Sequence, residues 1–268
     1  MINNNDYKTI QELKNSNPDA FNALTNATTA HLDALGHASH EIKNMVSFMS
    51  SSYQLISLKH PETSEFRFWK EFGSNIEHLV NFMDRTSIYR YCMKYKLEPA
   101  NIADILYSLP DLADNRHPTD LREFNFDIDP CISQSATIMA DKENITMALN
   151  EIIDNCYDAT VESDTITISA HTECTGIESN PTVTNYIHIT ISNQGTFPDI
   201  EYSEPGETPV FYEPTDADIL CKPFYTTRPK RSGLGLSIAY TVCTNHNGEL
   251  TFTQQDNISS VHVRLPFA

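Results

Sequence analysis

The chain has 268 residues, with 36 acidic against 18 basic side chains, a formal charge of −18, and 40% hydrophobic and 10% aromatic content. That apolar share supports packed cores and excludes wholesale disorder, and at roughly 100–200 residues per domain the length fits one large domain or two small ones. The acidic balance argues against nucleic acid as a partner, because phosphate backbones are held by clustered Lys and Arg. No stretch approaches the ~18 apolar residues of a membrane span, and the start, MINNNDYKTI, lacks a leader's apolar segment; a cytoplasmic location is expected.

Charge is unevenly spread. Residues 1–97 hold ten acids and ten bases, residues 98–164 fifteen against three, and residues 165–268 eleven against five. Four of those last five bases, Lys222, Arg228, Lys230 and Arg231, fall within ten residues. The shift predicts two domains, 1–97 and 98–268. The six cysteines, at 92, 131, 156, 174, 221 and 243, show no CxxC and no zinc spacing, so free thiols are expected.

In chain order, a helix is predicted from about Pro18 to His60. Phe21, Leu35, Ile42, Met49 and Ile56 fall on one seven-residue series and Leu24, Ala38 and Met45 on a second, with Thr28, His31 and Ser52 as imperfect members. His60-Pro61 ends it. A second helix is predicted from about Glu65 to Tyr95, giving an antiparallel hairpin. One hairpin leaves most of both seams wet, so pairing of two hairpins into a four-helix bundle, a homodimer, is expected. After Pro99 the reading gives strands at Phe124–Ile128 and Ala136–Ala140, a helix at Lys142–Thr160, and strands at Thr165–Ala170 and Tyr186–Ile191. A proline-rich loop at 193–215 follows, then a helix from Leu234 to Asn245 and strands near Glu249–Thr253 and Ser260–Leu265. That mixture predicts an α+β chain, with a two-layer α/β sandwich behind the hairpin.

Four stretches carry candidate chemistry. On the first helix, His40 falls at the outermost heptad position and His37 also points out, while His31 points toward the seam. Glu41, beside His40, is an acid able to take one imidazole proton as the other nitrogen attacks, and Asn44 lies one turn on. On the helix 142–160, Glu151, Asp154, Asn155 and Asp158 recur at spacings of three and four, opposite a packing face of Ile145, Leu149, Ile152, Ile153 and Cys156. Oxygen donors so placed suit a hard cation that carries phosphates. The third stretch, Lys222 to Ser237, leads basic residues into Gly233-Leu-Gly235 at the start of a helix, where backbone amides bind anions. The fourth, Ser192-Asn193-Gln194-Gly195-Thr196-Phe197, follows a strand.

Ser39-His40-Glu41-Ile42-Lys43-Asn44 resembles the phosphoacceptor box of the sensor histidine kinases of two-component systems, with Met45 where that family usually has proline. Glu151-Ile-Ile-Asp-Asn155-Cys-Tyr-Asp158-Ala159 is similar to the asparagine box those kinases share with type II topoisomerases, the ninety-kilodalton heat-shock chaperones and mismatch-repair ATPases. Pro223-Phe224-Tyr-Thr226-Thr227, followed by Gly233-Leu234-Gly235-Leu236, resembles the kinases' ATP lid and second glycine box, with Arg228 between. Asn193 takes the place of the family's adenine-binding Asp and Phe197 that of its second glycine, a departure that leaves a neutral acceptor for the base.

The resemblance implies that His40, Glu41 and Asn44 are catalytic and that ATP is held at Glu151, Asn155, Asp158, Asn193, Gly195, Phe224, Thr226, Thr227, Arg228, Gly233, Leu234, Gly235 and Leu236, with magnesium on Asn155. It implies phosphoryl transfer to the aspartate of a response regulator receiver domain, together with dephosphorylation of that regulator. The roughly 20 residues before the first helix are too few for a sensor domain, so an unidentified sensor or activator partner is expected. Two other readings stay open here: a phosphotransfer or phosphatase interaction protein with a degenerate ATP site, and an ATPase in which Glu151, at the base position of the ATPase branches, activates water.

Overall fold

The computed structural model describes residues 13–14, 16–120, 122–161, 164–175, 184–203, 208–228 and 231–267. The expectations for residues 1–10 and for Lys230, and those for the side chains of His31 and Cys174, lie outside the described residues. The chain divides into two compact units, Met1–Ser87 and Ile88–Ala268.

In the first unit, α1 (Pro18–Lys59) and α2 (Trp69–Tyr91) are joined by a 3-10 turn at Pro61–Glu65. The Asn17 side chain accepts from the Ala20 N–H and Pro18 opens α1, which satisfies one orphan donor and uses proline where no N–H is needed. Contacts run in opposite senses along the helices: Lys43 pairs with Asp84 at 2.6 Å, Tyr53 meets Phe72, and Trp69 Nε1 donates to Ser57 Oγ at 2.9 Å. The helices are therefore antiparallel. The face of α1 turned to α2 runs through Ser39, Lys43, Val46, Ser50, Tyr53 and Ser57, which are among the less exposed positions of that helix. The heptad series read from the sequence faces elsewhere: Leu35, Ile42, Met45, Met49 and Ile56 are 42–62% exposed in the single chain. Tyr53 stacks on Trp69 with centroids 4.8 Å apart, and it has room only because residue 73 is glycine; a Cβ there would sit 2.4 Å from the ring.

The second unit begins inside α2, because Ile88, Tyr89 and Cys92 pack with its core. Next come β1 (Glu98–Asn101), α3 (Ile102–Arg116), β2 (Glu123–Ile128), α4 (Pro130–Ser135), β3 (Thr137–Ala140), α5 (Lys142–Ala159), β4 (Thr165–Thr175) and β5 (Thr184–Gln194). After them follow β6 (Ile200–Tyr202), β7 (Val210–Tyr212), α6 (Ala217–Leu220), α7 (Gly235–Asn245), β8 (Glu249–Gln255) and β9 (Ile258–Phe267). The main sheet has the order β2-β4-β5-β9-β8, with β2 and β4 parallel and the other pairs antiparallel. Period-two alternation gives it two faces. Ile166, Ile168, Ile187, Ile189, Ile191, Val261, Val263 and Leu265 are buried in one core with residues of α3, α5 and α7. Between them Thr167, Ser169, His171, His188, Thr190, Ser260 and His262 take the other face. The result is the expected two-layer α+β arrangement.

Helix α3 is an element the sequence reading did not name. Pro110 lies inside it and acids interrupt its polar side, yet Ile102, Ile105, Leu106, Leu109 and Ala113 keep helical spacing and are fully buried. Asn101 caps it by accepting from the Ala103 N–H at 2.9 Å. Burial of that stripe outweighs the one ladder bond proline removes.

Candidate functional site

In the first unit, His40 is held on the long α1, with 71% of its side chain exposed. Its Nδ1 lies 3.2 Å from Asn44 Nδ2, one turn on, and 4.0 Å from Glu41 Oε1. Both neighbours gather at one ring nitrogen, which leaves Nε2 facing outward. Asn44 Nδ2 can only donate, so as placed it holds Nδ1 as the accepting nitrogen; with the Asn44 amide turned to present its oxygen, Nδ1 carries the proton, Glu41 is the carboxylate beside it, and the Nε2 lone pair is free. The same side of α1 continues through Phe48, Leu55 and Leu58, which are 75%, 51% and 79% exposed and recur at helical spacing from His40. His37 is also exposed.

In the second unit, α5 is set by Asp141, whose side chain accepts from the Asn144 N–H, and by the apolar face Ile145, Leu149, Ile152, Ile153 and Cys156, all buried. The four polar positions read as one face have different fates. Glu151 is buried at 5% exposure. Asp154 is taken by α3 and the residue after it: Arg116 Nη1 donates to Oδ2 at 2.8 Å and His117 Nε2 lies 2.8 Å from Oδ1. Asn155 is half-buried, and its Nδ2 is shut off from solvent with no hydrogen-bond partner. Asp158 pairs with Arg228 Nη1 at 2.9 Å and with Arg231 Nη2, which brings the basic loop before α7 onto the end of α5. Arg116 and His117, which hold Asp154, are residues the sequence did not point to, whereas Arg231 belongs to the basic stretch it marked. No sequence spacing marks the first two, because the α3 segment was not read as a helix.

The glycine loop is closed on itself. Phe224, at φ 68, donates its N–H to the Gly233 carbonyl at 2.9 Å. Gly233 has φ +66, and a Cβ there would lie 2.5 Å from the Phe224 carbonyl carbon, so only glycine fits. Thr226 Oγ1 accepts from the Arg228 N–H at 3.1 Å, and Thr227 is exposed. Leu234 is fully buried and supplies no side-chain cap to α7, which starts at Gly235; Leu236 packs partly buried against the core. The first turn of α7 therefore offers backbone N–H groups to a ligand without competition from a cap.

At the far end of β5, Asn193 is 7% exposed. Its Nδ2 donates to the Gln194 carbonyl at 2.6 Å, and its Oδ1 accepts from Ser259 Oγ at 3.4 Å. Gly195, at φ +118, stands beside the end of α5, where an added Cβ would be 3.7 Å from the Ala159 carbonyl. Phe197 turns toward Phe252 in an edge contact at 5.8 Å, so it joins the core boundary. The structure thereby gathers Asn155, Asp158, Gly195, Arg228 and the Gly233–Gly235 turn around the C-terminal half of α5.

Among the described residues no group of three or more His, Cys, Asp or Glu could hold a metal ion. Among the described residues the thiols of Cys92, Cys131, Cys156, Cys221 and Cys243 are free, and burial pushes Cys92, Cys156 and Cys243 up to about 12, which makes these three inert packing residues. Among the described residues no helix is long and apolar enough to cross a membrane.

Residues 140–268 match the family described as histidine kinase-, DNA gyrase B-, and HSP90-like ATPase. Full-length ShkA, solved in complex with AMPPNP, is similar over 88% of this chain and 46% of its own, with a TM-score of 0.60 and 16% identity. This chain therefore spans just under half the length of ShkA, and at that identity the likeness speaks for the fold. The Acinetobacter baumannii histidine kinase AdeS is similar over 85% of this chain and 97% of its own (TM-score 0.49, 15% identity). The mycobacterial sensor histidine kinase MprB is similar over 64% and 97% (TM-score 0.45, 19% identity). No curated protein matches by sequence. Residues 140–268 thus match a model of histidine kinase-, DNA gyrase B- and HSP90-like ATPases, and ShkA shares the fold.

Proposed function

We propose that this chain is a protein histidine kinase, phosphorylating His40 from magnesium-ATP and passing the phosphoryl group to a response regulator aspartate. The observation that carries the reading is that a chain with this ATPase domain also holds an exposed histidine, with a carboxylate and an amide gathered at Nδ1. In the step proposed, the Nε2 lone pair bonds to the γ-phosphorus as the bond from phosphorus to the ADP oxygen breaks, and Glu41 takes the Nδ1 proton. Asn155 would hold magnesium through its amide oxygen, the hard donor of that side chain; that ion supplies charge neutralisation on the phosphates. Gly233, Gly235 and the first turn of α7 would bind phosphate through backbone N–H groups, and Asn193 with Gly195 would meet the base. The exposed Phe48, Leu55 and Leu58 beside His40 suit the apolar part of a receiver domain, with Asn44 placed to orient water for dephosphorylation. The exposed Leu35, Ile42, Met49 and Ile56 series suits a second copy of the hairpin.

The test is incubation with γ-labelled ATP and magnesium. The expected product is an acid-labile, base-stable label that is lost in His40→Gln and kept in His37→Gln; equal labelling of both variants would overturn the assignment. One observation favours a second reading, ATP hydrolysis by water: Glu151, at the base position of the ATPase branches, is buried at the site. Steady phosphate release that survives His40→Gln would establish it.

A further inference from the structure

Asp158 stands among the residues that the resemblance assigns to the nucleotide, yet its carboxylate is already engaged. Oδ2 takes Arg228 Nη1 at 2.9 Å and Oδ1 takes Arg231 Nη2, so each oxygen carries a guanidinium. Only 20% of the Asp158 side chain is exposed, whereas those of Arg228 and Arg231 are 37% and 52% exposed and belong to a loop that leads to the Gly233 turn. These two arginines are among the five bases found after residue 164. They are also the cations that charge complementarity would direct to a polyphosphate.

Resting on the nucleotide reading of this unit, we propose that Asp158 is a stand-in anion: it holds Arg228 and Arg231 until a nucleotide's phosphates displace it. The exchange replaces one carboxylate with phosphate oxygens at the same two guanidinium groups. It forms no new ion pair in number, so the arginines contribute less to affinity than free cations would. Ligands with several anionic oxygens can make the exchange; a nucleoside without phosphate cannot. Asp158 thereby lowers nucleotide affinity and selects for phosphate.

Asp158→Asn keeps the shape and removes the charge. In the nucleotide-free protein it should speed trypsin cleavage after Arg231, because the guanidinium is released, while Asp158→Glu should keep cleavage slow. By calorimetry Asp158→Asn should bind magnesium-ATP tighter by about 2- to 30-fold, the factor two exposed ion pairs are worth, and adenosine no tighter. Cleavage at the wild-type rate in Asp158→Asn overturns the resting pair. ATP bound more weakly by Asp158→Asn overturns the displacement and makes Asp158 a direct ligand. A wild-type chain that binds no ATP, yet shows the cleavage difference, overturns the nucleotide reading and the displacement with it. Thermal melts of both variants separate these outcomes from a folding defect; should Asp158→Asn not fold, Asp158→Ser takes its place in both measurements, with the same results supporting or overturning the exchange.

Discussion

Gly233 carries a constraint that no other residue type meets. Its φ of +66 and the 2.5 Å approach a Cβ would make to the Phe224 carbonyl carbon are both backbone facts, so a side chain cannot relieve them by changing rotamer. Gly233→Ala should cost about 1–3 kcal/mol in urea unfolding, the range for a strained backbone residue, and should weaken ATP binding by spoiling the Phe224 to Gly233 closure; a wild-type midpoint and affinity would show that the turn tolerates another conformation. His40 is the opposite case. It is exposed and makes few contacts, so its substitution should leave stability unchanged and remove only the label. Asp154 marks a third kind of residue, whose role is to fix α5 against Arg116 and His117.

Among the elements, the open face of the main sheet sets the pH response. His171 and His188 stand directly opposite in β4 and β5, with Nε2 and Nδ1 3.2 Å apart, and the His188 and His262 rings lie 5.2 Å apart. Burial, then the charge His171 would carry, hold His188 below the usual imidazole range, with Arg264 adding to this and Glu173 opposing it. Burial, then His188 and His171, lower His262. Burial also lowers His246, against the Val242 carbonyl and Asp141. A lowered folded value means that the neutral form is favoured by folding. The stability is therefore present above the unfolded value, about 6.5, and lost as pH falls through the folded values. The melting temperature should drop between pH 7.5 and 5, by about 2–4 °C for each kcal/mol lost, and His188→Thr should flatten the drop. A profile equally steep in that variant would place the sensitivity elsewhere.

At the scale of the whole molecule, the apolar series on α1 is the feature a single chain leaves unsatisfied. The inner face of the hairpin is built from Ser39, Lys43, Val46, Ser50, Tyr53 and Ser57, while Ile42, Met45, Met49 and Ile56 stay 42–62% exposed. A continuous apolar helix face of this kind is covered by association rather than left wet. Light scattering at micromolar concentration should return a dimer mass for the wild type and a monomer mass for Ile42→Asp; a monomeric wild type would refute the bundle.

Local chemistry made much of this protein legible in its sequence. Pro61 ends α1 because the residue before a proline leaves the helical region, and strict alternation in 187–191 makes a strand with one buried face. The spacing of Glu151, Asn155 and Asp158 places them near one another on any helix, and the order of the motifs, from His40 to Gly235, was readable for the same reason. What depends on a distant partner was not. Helix α3 was hidden because Pro110 weakens the local signal and only burial against α5 and the sheet outweighs it. Which seam of α1 faces α2 was undecided because heptad positions one step apart read alike until Tyr53 finds Gly73. That Asp158 holds two arginines some seventy residues on, and that Asp154 is bound by Arg116 and His117, are decisions of tertiary structure alone: a charge along a sequence has no partner until folding sets the distance.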